Sequence, residues 1–233
     1  MPELKLFFAP DSCARVTLIA LEEIGKPYAL EVVAFVKGEH RGAAYLSLNP
    51  KGKVPTLLVD GEPLTENVAI LSWLNSQYPD SMLLPRVLDP LARARQLADL
   101  SFCASGLHPI VTRIRVPQFF CDTTEGMARV VELATAAMEM NLGWVEERLG
   151  SQPWWYGRDW SIMDAYINWV WFRITGAGFD PSGFPNLVRH DEELKRRPSV
   201  MRALAVSRRV AEDLEARGLA VKFSGAGAIR APT

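Results

Sequence analysis

Residues 49–73 decide the fold, and they read Asn-Pro-Lys-Gly-Lys-Val-Pro-Thr-Leu-Leu-Val-Asp-Gly-Glu-Pro-Leu-Thr-Glu-Asn-Val-Ala-Ile-Leu-Ser-Trp. Pro55 precedes the apolar run 56–59. Because proline cannot donate a ladder hydrogen bond, it predicts the first residue of a strand, and the bond before it can be cis. Asp60-Gly61 then predicts a tight two-residue turn into a second short strand.

A helix is predicted to follow this hairpin. Thr65 stands directly before an apolar-periodic segment, so we expect Thr65 to be the N-cap. The resulting ββα unit brings the backbone of Val54 near Glu66 and Asn67. A helix N-terminus favours carboxylates, and a free strand edge at Val54 can pair with an extended peptide.

The residues before this stretch predict a strand, a helix and a second strand. Residues 4–9 form a short apolar run, a helical pattern follows and stops at Gly25, and residues 27–35 form the next strand. A strand-helix-strand crossover makes the two strands parallel. The order βαβ-ββα is that of a thioredoxin-like domain, here residues 1–78.

The rest of the chain has no strand pattern. Residues 79–90 carry three prolines and predict a linker. A helical-bundle domain is expected over residues 91–222 and a flexible tail over residues 223–233, so the fold class is α/β plus all-α. The predicted helices cover residues 90–115, in which Pro109 must kink or end the helix, and 123–149, 161–173, 186–196 and 199–216.

Ser161 and Asp164 have the spacing of a capping box at the start of one of these helices. Trp160, Ile162 and Tyr166 surround them, so we expect both polar side chains to be buried. Their predicted role is structural. Asp122 with Glu125 is a weaker match to the same spacing.

Composition narrows the function classes. The chain has 233 residues, 48% hydrophobic and 23% charged, with a formal net charge of −1. This balance does not favour nucleic acid, and no apolar run is long enough for a membrane span. Three widely spaced cysteines give no metal-ligand pattern, and without a signal peptide they predict a cytoplasmic protein.

The stretch 49–73 resembles the glutathione-binding half of cytosolic glutathione transferases. The resemblance implies that Val54 and a cis Pro55 hold the cysteinyl part of glutathione, and that Glu66 and Asn67 hold its γ-glutamyl end. The second residue of that pair is usually Ser, so Asn67 is a departure. The capping box at Ser161 is similar to one in the helical domain of the same family.

The resemblance does not decide which residue contacts the glutathione sulfur. Pro-Asp-Ser-Cys at 10–13 is similar to Pro-Gly-Ala-Cys of the bacterial beta class, which implies Cys13. It is also similar to Ser-Ser-Cys of the zeta class, which implies Ser12 together with Cys13. A tyrosine of the kind that other classes use is absent near Phe7 and Phe8.

Further site residues follow from the same resemblance. Leu107-His108 is similar to a beta-class pair whose histidine reaches the site, and Lys37 matches a beta-class lysine. Lys53 would help to attract the two carboxylates of glutathione. The expected pocket for an electrophile includes Phe102, Ile110, Arg113 and Ile114.

The expected function is addition of the glutathione thiolate to a small, mostly apolar electrophile, in a homodimer with no metal. Two alternatives stay open. One is a glutathione-dependent thiol reductase or cis-trans isomerase. The other is a non-catalytic member that binds a ligand or a protein.

Overall fold

A four-stranded mixed sheet organises the first part of the chain. The computed structural model describes residues 2–221. The strands are β1 (Leu4–Phe8), β2 (Ala29–Val32), β3 (Thr56–Val59) and β4 (Glu62–Thr65), in the spatial order β2-β1-β3-β4. β1 is parallel to β2 and antiparallel to β3, and β3 is antiparallel to β4. The predicted βαβ-ββα topology is therefore confirmed.

Three helices belong to this sheet: α1 (Ala14–Ile24), α2 (Ala43–Leu46) and α3 (Asn67–Gln77). The core consists of apolar side chains with no exposed surface, from the sheet (Leu6, Phe8, Leu57) and from the helices (Leu18, Ile19, Leu71, Leu74). α1 ends at Gly25, which adopts a left-handed φ of 66°, as its position predicts. The second strand is shorter than the predicted range 27–35.

The helical part of the chain begins with α4 (Pro90–Ser101), whose N-terminal Ala92 N–H is accepted by Asp89 at 2.8 Å. The helix then widens to a π-helix over Phe102–Leu107 and continues as α5 (His108–Arg115). Pro109 explains this interruption, because it lacks an N–H and its ring crowds the preceding turn.

Four further helices follow: α6 (Thr124–Ser151), α7 (Ile162–Thr175), α8 (Pro185–Lys195) and α9 (Pro198–Ala216). The cap predicted at Asp122 is wrong by one residue. Thr123 has an extended backbone, and its hydroxyl accepts the Gly126 N–H at 3.1 Å. It is therefore the N-cap of α6 and satisfies one N–H group of the first helical turn.

The predicted capping box at the start of α7 is confirmed. Asp164 has no exposed surface, and its carboxylate accepts from the Ser161 N–H and Ser161 hydroxyl, both at 2.9 Å. The same carboxylate accepts the Trp155 N–H at 2.7 Å and lies 3.0 Å from His190 Nε2. The sequence did not indicate the last two partners, because they come from outside the box.

Residues 2–93 and 195–221 form one compact unit, and residues 94–194 form another. In the first unit α9 packs on α1, and Arg202 and Arg197 pair with Glu22 and Glu23, each at 2.8 Å. The sequence placed α9 with the other C-terminal helices, because helical periodicity does not reveal which surface a helix packs against.

The predicted domain limits stay predictions. The predicted tail, 223–233, lies outside the described residues. Within residues 2–221, no helix is long and apolar enough to span a membrane.

Candidate functional site

Several side-chain hydrogen bonds anchor the turn before β3. The Val54–Pro55 bond is cis. The carbonyl of Lys53 accepts from the Tyr45 hydroxyl and from Asn49 Nδ2, both at 2.7 Å. Both groups also contact the buried Thr56 hydroxyl, at 2.9 and 3.1 Å. This network fixes the backbone of Val54, and the role of Tyr45 in it was not predicted.

Cys13 lies against this turn. It is the N-cap residue of α1 and is 9% exposed, and its thiol donates to the Val54 carbonyl at 3.4 Å. Burial raises the pKa of the Cys13 thiol to about 12, and the charge of Glu66 acts in the same direction. The Asn67 amide and Lys53 oppose this rise without cancelling it. At neutral pH Cys13 is therefore a neutral S–H donor.

Ser12 is held in the turn that leads into α1. Its hydroxyl donates to the Ala9 carbonyl at 2.6 Å and accepts the Ala14 N–H at 3.3 Å. A hydroxyl has a single proton, so this bond to Ala9 must break before Ser12 can donate to a ligand. The geometry gives Ser12 a structural role. The Cys13 thiol also has a single proton, but an S–H group is a weak donor and its bond to the Val54 carbonyl is 3.4 Å long, so this bond is more easily exchanged for a ligand than the 2.6 Å bond of Ser12.

The start of α3 differs from the prediction at Thr65. Thr65 pairs with Thr56 as the last residue of β4, which keeps it extended, so the predicted N-cap at Thr65 is wrong. Glu66 is the N-cap, with a left-handed φ of 72° and no side-chain cap bond. Its carboxylate instead pairs with Lys51 at 2.7 Å.

Asn67 points inward. It is buried, its Nδ2 donates to the Cys13 carbonyl at 3.0 Å, and its Oδ1 accepts the Thr17 hydroxyl at 2.8 Å. These bonds tie the first turn of α3 to the first turn of α1. The sequence gave no signal for Thr17, because its partner is 50 residues away along the chain.

The two predicted lysines of this unit occupy different positions. Lys53 directly precedes Val54 and contributes to the electrostatic environment of the Cys13 thiol. Lys37 is exposed at the end of the 3-10 helix Phe35–Lys37. The structure therefore brings Cys13, Lys53, Val54 and the pair Glu66-Asn67 together, whereas Lys37 lies on a separate loop.

The remaining predicted residues belong to the second unit. His108 is half-buried at the start of α5, and its ring centroid lies 4.5 Å from that of Trp169. Ile114 is buried, and Phe102 and Ile110 are half-buried. Arg113 is exposed, donates to the Pro109 carbonyl at 3.1 Å and lies over the Phe120 ring. Its guanidinium is therefore partly engaged within its own helix.

The candidate site in the first unit offers hydrogen-bonding and charged groups of the kinds that bind a small peptide. It combines a fixed turn, a neutral thiol donor at a helix start, and an exposed carboxylate with a lysine partner. Among residues 2–221, no group of three or more His, Cys, Asp or Glu side chains is placed to hold a metal ion.

Comparison with known proteins identifies the family of this chain. The chain is 33% identical over 204 residues to the glutathione S-transferase GstA of Escherichia coli O157:H7, covering 87% of this chain and 98% of that protein. The chain belongs to the glutathione transferase family. The family model "Glutathione S-transferase, N-terminal domain" matches residues 12–77 of this chain, which include Cys13, Val54 and Glu66.

The chain is also similar to a maleylacetoacetate isomerase of Pseudomonas aeruginosa, at 33% identity over 168 residues, covering 71% of this chain and 77% of that protein. The isomerase relative agrees with the zeta-like features of residues 12–13.

Solved structures agree with this family. A bacterial beta-class glutathione S-transferase of Sphingomonas chungbukensis superposes with a TM-score of 0.76 at 32% identity, over 87% of this chain and 98% of that chain. A sphingomonad glutathione S-transferase complexed with glutathione gives a TM-score of 0.75 at 31% identity, over 87% and 98% of the two chains. The predicted likeness of this chain to the beta class is confirmed.

Proposed function

We propose that this protein binds glutathione on its first unit and transfers the glutathione thiolate to an electrophilic carbon of a small, mostly apolar substrate. One observation carries the proposal. A neutral thiol, Cys13, lies at the start of α1 against the carbonyl of Val54, beside a cis-proline turn. The solved sphingomonad relative holds glutathione, which supports the same ligand here.

The site offers a partner for each part of glutathione. The Val54 backbone would hold the cysteinyl residue, and its carbonyl has two lone pairs, of which the Cys13 thiol takes one. Glu66 would pair with the α-ammonium of the γ-glutamyl residue, and the start of α3 at Asn67 favours its α-carboxylate. Lys53 and Lys37 would supply positive charge for the remaining carboxylate.

The proposed role of Cys13 is to stabilise the glutathione thiolate by turning its single S–H proton from the Val54 carbonyl to the glutathione sulfur. A free thiol has a pKa of about 8.5, so the glutathione proton must leave to solvent before attack. Because the pKa of Cys13 is about 12, Cys13 stays protonated while it donates. The glutathione sulfur then forms a bond to carbon, and the leaving group departs with its electron pair.

The site of the second substrate and the oligomeric state are proposed in less detail. Phe102 and Ile110, which are half-buried, offer apolar surface in the second unit, and Arg113 offers a cation, whereas Ile114 is buried. His108 lies in the second unit, and its role stays a prediction. A two-fold dimer is the common assembly for proteins of this kind.

A glutathione-dependent cis-trans isomerase is a second candidate, because the similarity to the Pseudomonas aeruginosa isomerase favours it. It needs the same thiolate, which adds to a double bond and is eliminated again. A thiol reductase is disfavoured, because it needs Cys13 as a thiolate nucleophile and the raised pKa of that thiol opposes this.

Two measurements test the proposal. Glutathione at a hundred times its dissociation constant should stabilise the folded state by about 2.7 kcal/mol, seen as a raised unfolding temperature. Conjugation to an activated aryl chloride should then be detectable, reduced about tenfold or more in Cys13→Ala and retained better in Cys13→Ser, which keeps a donor.

The outcomes separate the candidates. Isomerisation of a cis-unsaturated dicarbonyl acid without conjugation would favour the isomerase. Glutathione binding without either activity would favour a binding protein, and no stabilisation at millimolar glutathione would contradict the proposal.

A further inference from the structure

Asp11 has an unfavourable backbone conformation two residues before Cys13. Its φ is 61°, in the left-handed region that favours glycine and disfavours a residue with a side chain. The beta-class stretch Pro-Gly-Ala-Cys, which residues 10–13 resemble, has glycine at this position. An aspartate here acts against the local backbone preference, which points to a role for its carboxylate.

The carboxylate of Asp11 pairs with Arg15 in the first turn of α1. Arg15 Nη2 donates to Asp11 Oδ1 at 3.1 Å. The side chain of Arg15 is 7% exposed, whereas that of Asp11 is 48% exposed. Because the first turn of a helix disfavours a cation and a buried guanidinium needs an anionic partner, helix stability does not explain an arginine here. The pair brings one positive and one negative charge to the turn that holds Cys13.

Both charges lie within electrostatic reach of the Cys13 thiol. Asp11 is two residues before Cys13 and Arg15 is two residues after it. Two residues span at most about 7 Å along the chain. An unpaired charge about 8–10 Å away shifts a pKa by roughly half a unit to one unit, which is about a 3- to 10-fold change in the acid dissociation constant.

Other charges near Cys13 come from neighbouring elements. Burial is the main cause of the raised pKa of the Cys13 thiol, Glu66 at the start of α3 acts in the same direction, and Lys53 opposes it. Burial also raises the pKa of Tyr45 in α2, and a charge on Cys13 acts in the same direction. A thiolate at this point already meets the negative charge of Glu66, so an uncompensated Asp11 would add a second one.

We propose that Arg15 is a positioning residue that neutralises Asp11 beside the reacting sulfur. While the pair is closed, its two charges largely cancel at the glutathione thiolate, and Cys13 donates to that thiolate without opposition from Asp11. Arg15 therefore acts through Asp11 and not by contact with glutathione. This inference rests on the proposed function and adds an ion pair that controls the ionisation of bound glutathione.

The experiment follows the ionisation of bound glutathione by the ultraviolet absorbance of its thiolate as the pH is raised. The full chain is saturated with glutathione, and the spectrum of the unliganded protein at each pH is subtracted to remove the protein's own thiols and tyrosines. The proteins are wild type, Arg15→Gln, Asp11→Asn, the double variant and the control Arg217→Gln. Asparagine tolerates the left-handed region. Arg217 pairs with Asp213 at the same spacing in α9, with both side chains exposed.

Arg15→Gln leaves the charge of Asp11 uncompensated, so the pKa of the bound thiol should rise by roughly half a unit to one unit. Below that pKa, kcat/KM for conjugation should fall about 3- to 10-fold. Asp11→Asn leaves the charge of Arg15 and should lower the pKa of the bound thiol. The double variant should return close to wild type, and Arg217→Gln should cause no shift.

The proposal is overturned if Arg15→Gln leaves the pKa of the bound thiol unchanged, or if the double variant behaves like Arg15→Gln. A purely structural pair would not be rescued by removal of its second charge. If circular dichroism shows that Arg15→Gln does not fold, Asp11→Asn decides, because a lowered pKa supports the proposal and an unchanged pKa overturns it. All these outcomes leave glutathione binding intact. If wild type does not bind glutathione, the proposed function fails and this inference fails with it.

Discussion

Two acidic residues stand at helix starts in this protein, and they are used in opposite ways. Asp164 in α7 has no exposed surface, and four partners within the second unit surround its carboxylate. Glu66 at the start of α3 is exposed, makes no side-chain cap bond and pairs with Lys51, which is itself exposed. A carboxylate whose acceptor positions are filled internally stabilises the fold, whereas an exposed carboxylate with a loose partner is available to a ligand.

The largest expected effect is on the buried acid. Asp164→Ala removes the acceptor of two backbone N–H groups and of the Ser161 hydroxyl and leaves His190 without its carboxylate. We expect the free energy of unfolding to fall by about 3–5 kcal/mol, measured by chemical denaturation. Asp164→Asn keeps one acceptor and should fall between wild type and Asp164→Ala.

The control for Asp164 is Asp213→Ala, which removes an exposed pair with Arg217. That change should alter stability by about 0.5 kcal/mol or less. If Asp164→Ala and Asp213→Ala lower the free energy of unfolding equally, burial does not distinguish the two acids.

A second prediction concerns pH and the neutral thiol near Glu66. The folded pKa of Cys13, about 12, exceeds the ordinary value of 9.0, because burial disfavours the thiolate. The unfolded chain therefore loses this proton first as the pH rises. The contribution of Cys13 to stability is complete below pH 9 and is lost progressively between pH 9 and about 12.

Between about pH 8 and about pH 10.5 this linkage lowers the free energy of unfolding of wild type by about 2 kcal/mol more than that of Cys13→Ala. Burial also raises the pKa values of Tyr28 and Tyr156, but these groups are common to both proteins and cancel in the difference. Parallel loss of stability in the two proteins would show that Cys13 is not protected from ionisation.

A third prediction tests the buried neighbour of Glu66. Asn67→Ala leaves the buried Thr17 hydroxyl without its acceptor and removes one donor from the Cys13 carbonyl, which still accepts the Val16 N–H at 3.1 Å. We expect a loss of about 2 kcal/mol in the free energy of unfolding. Asn141 is the matched control, because its amide donates only to the Ala137 carbonyl of its own helix, so Asn141→Ala should cost about 0.5 kcal/mol. A small effect at Asn67 would indicate that the side chain faces the ligand instead.

The smallest expected effect on stability is at the exposed acid. Glu66→Gln should change the free energy of unfolding by about 0.5 kcal/mol or less, because its ion pair is exposed. It should nevertheless weaken glutathione binding about tenfold, measured by calorimetry. If stability falls while affinity is kept, Glu66 belongs with Asp164 as a structural acid, and the comparison is refuted.

Much of the fold was predictable because its signals are local. Pro55, Asp60-Gly61 and the helical periodicity after Glu66 act over a few residues, and together they specify the ββα unit that the structure contains. The Ser161–Asp164 box is equally local, since its two members are three residues apart. The misplaced caps at Thr65 and Asp122 are errors of a single residue, which local patterns cannot resolve when strand pairing or an adjacent hydroxyl competes.

The sequence by itself determined the order of the elements, the proline turn and the set of residue types around Cys13, because these depend on backbone propensities and on short spacings. Only the tertiary structure decided what each polar group does. In the folded protein Asn67 accepts the Thr17 hydroxyl, and the Ser12 hydroxyl donates to the Ala9 carbonyl. Burial raises the pKa of Cys13, whereas Glu66 stays exposed and pairs with Lys51. The physical reason is that burial and hydrogen-bond partners come from segments far apart in the chain, which meet only when the sheet and helices pack.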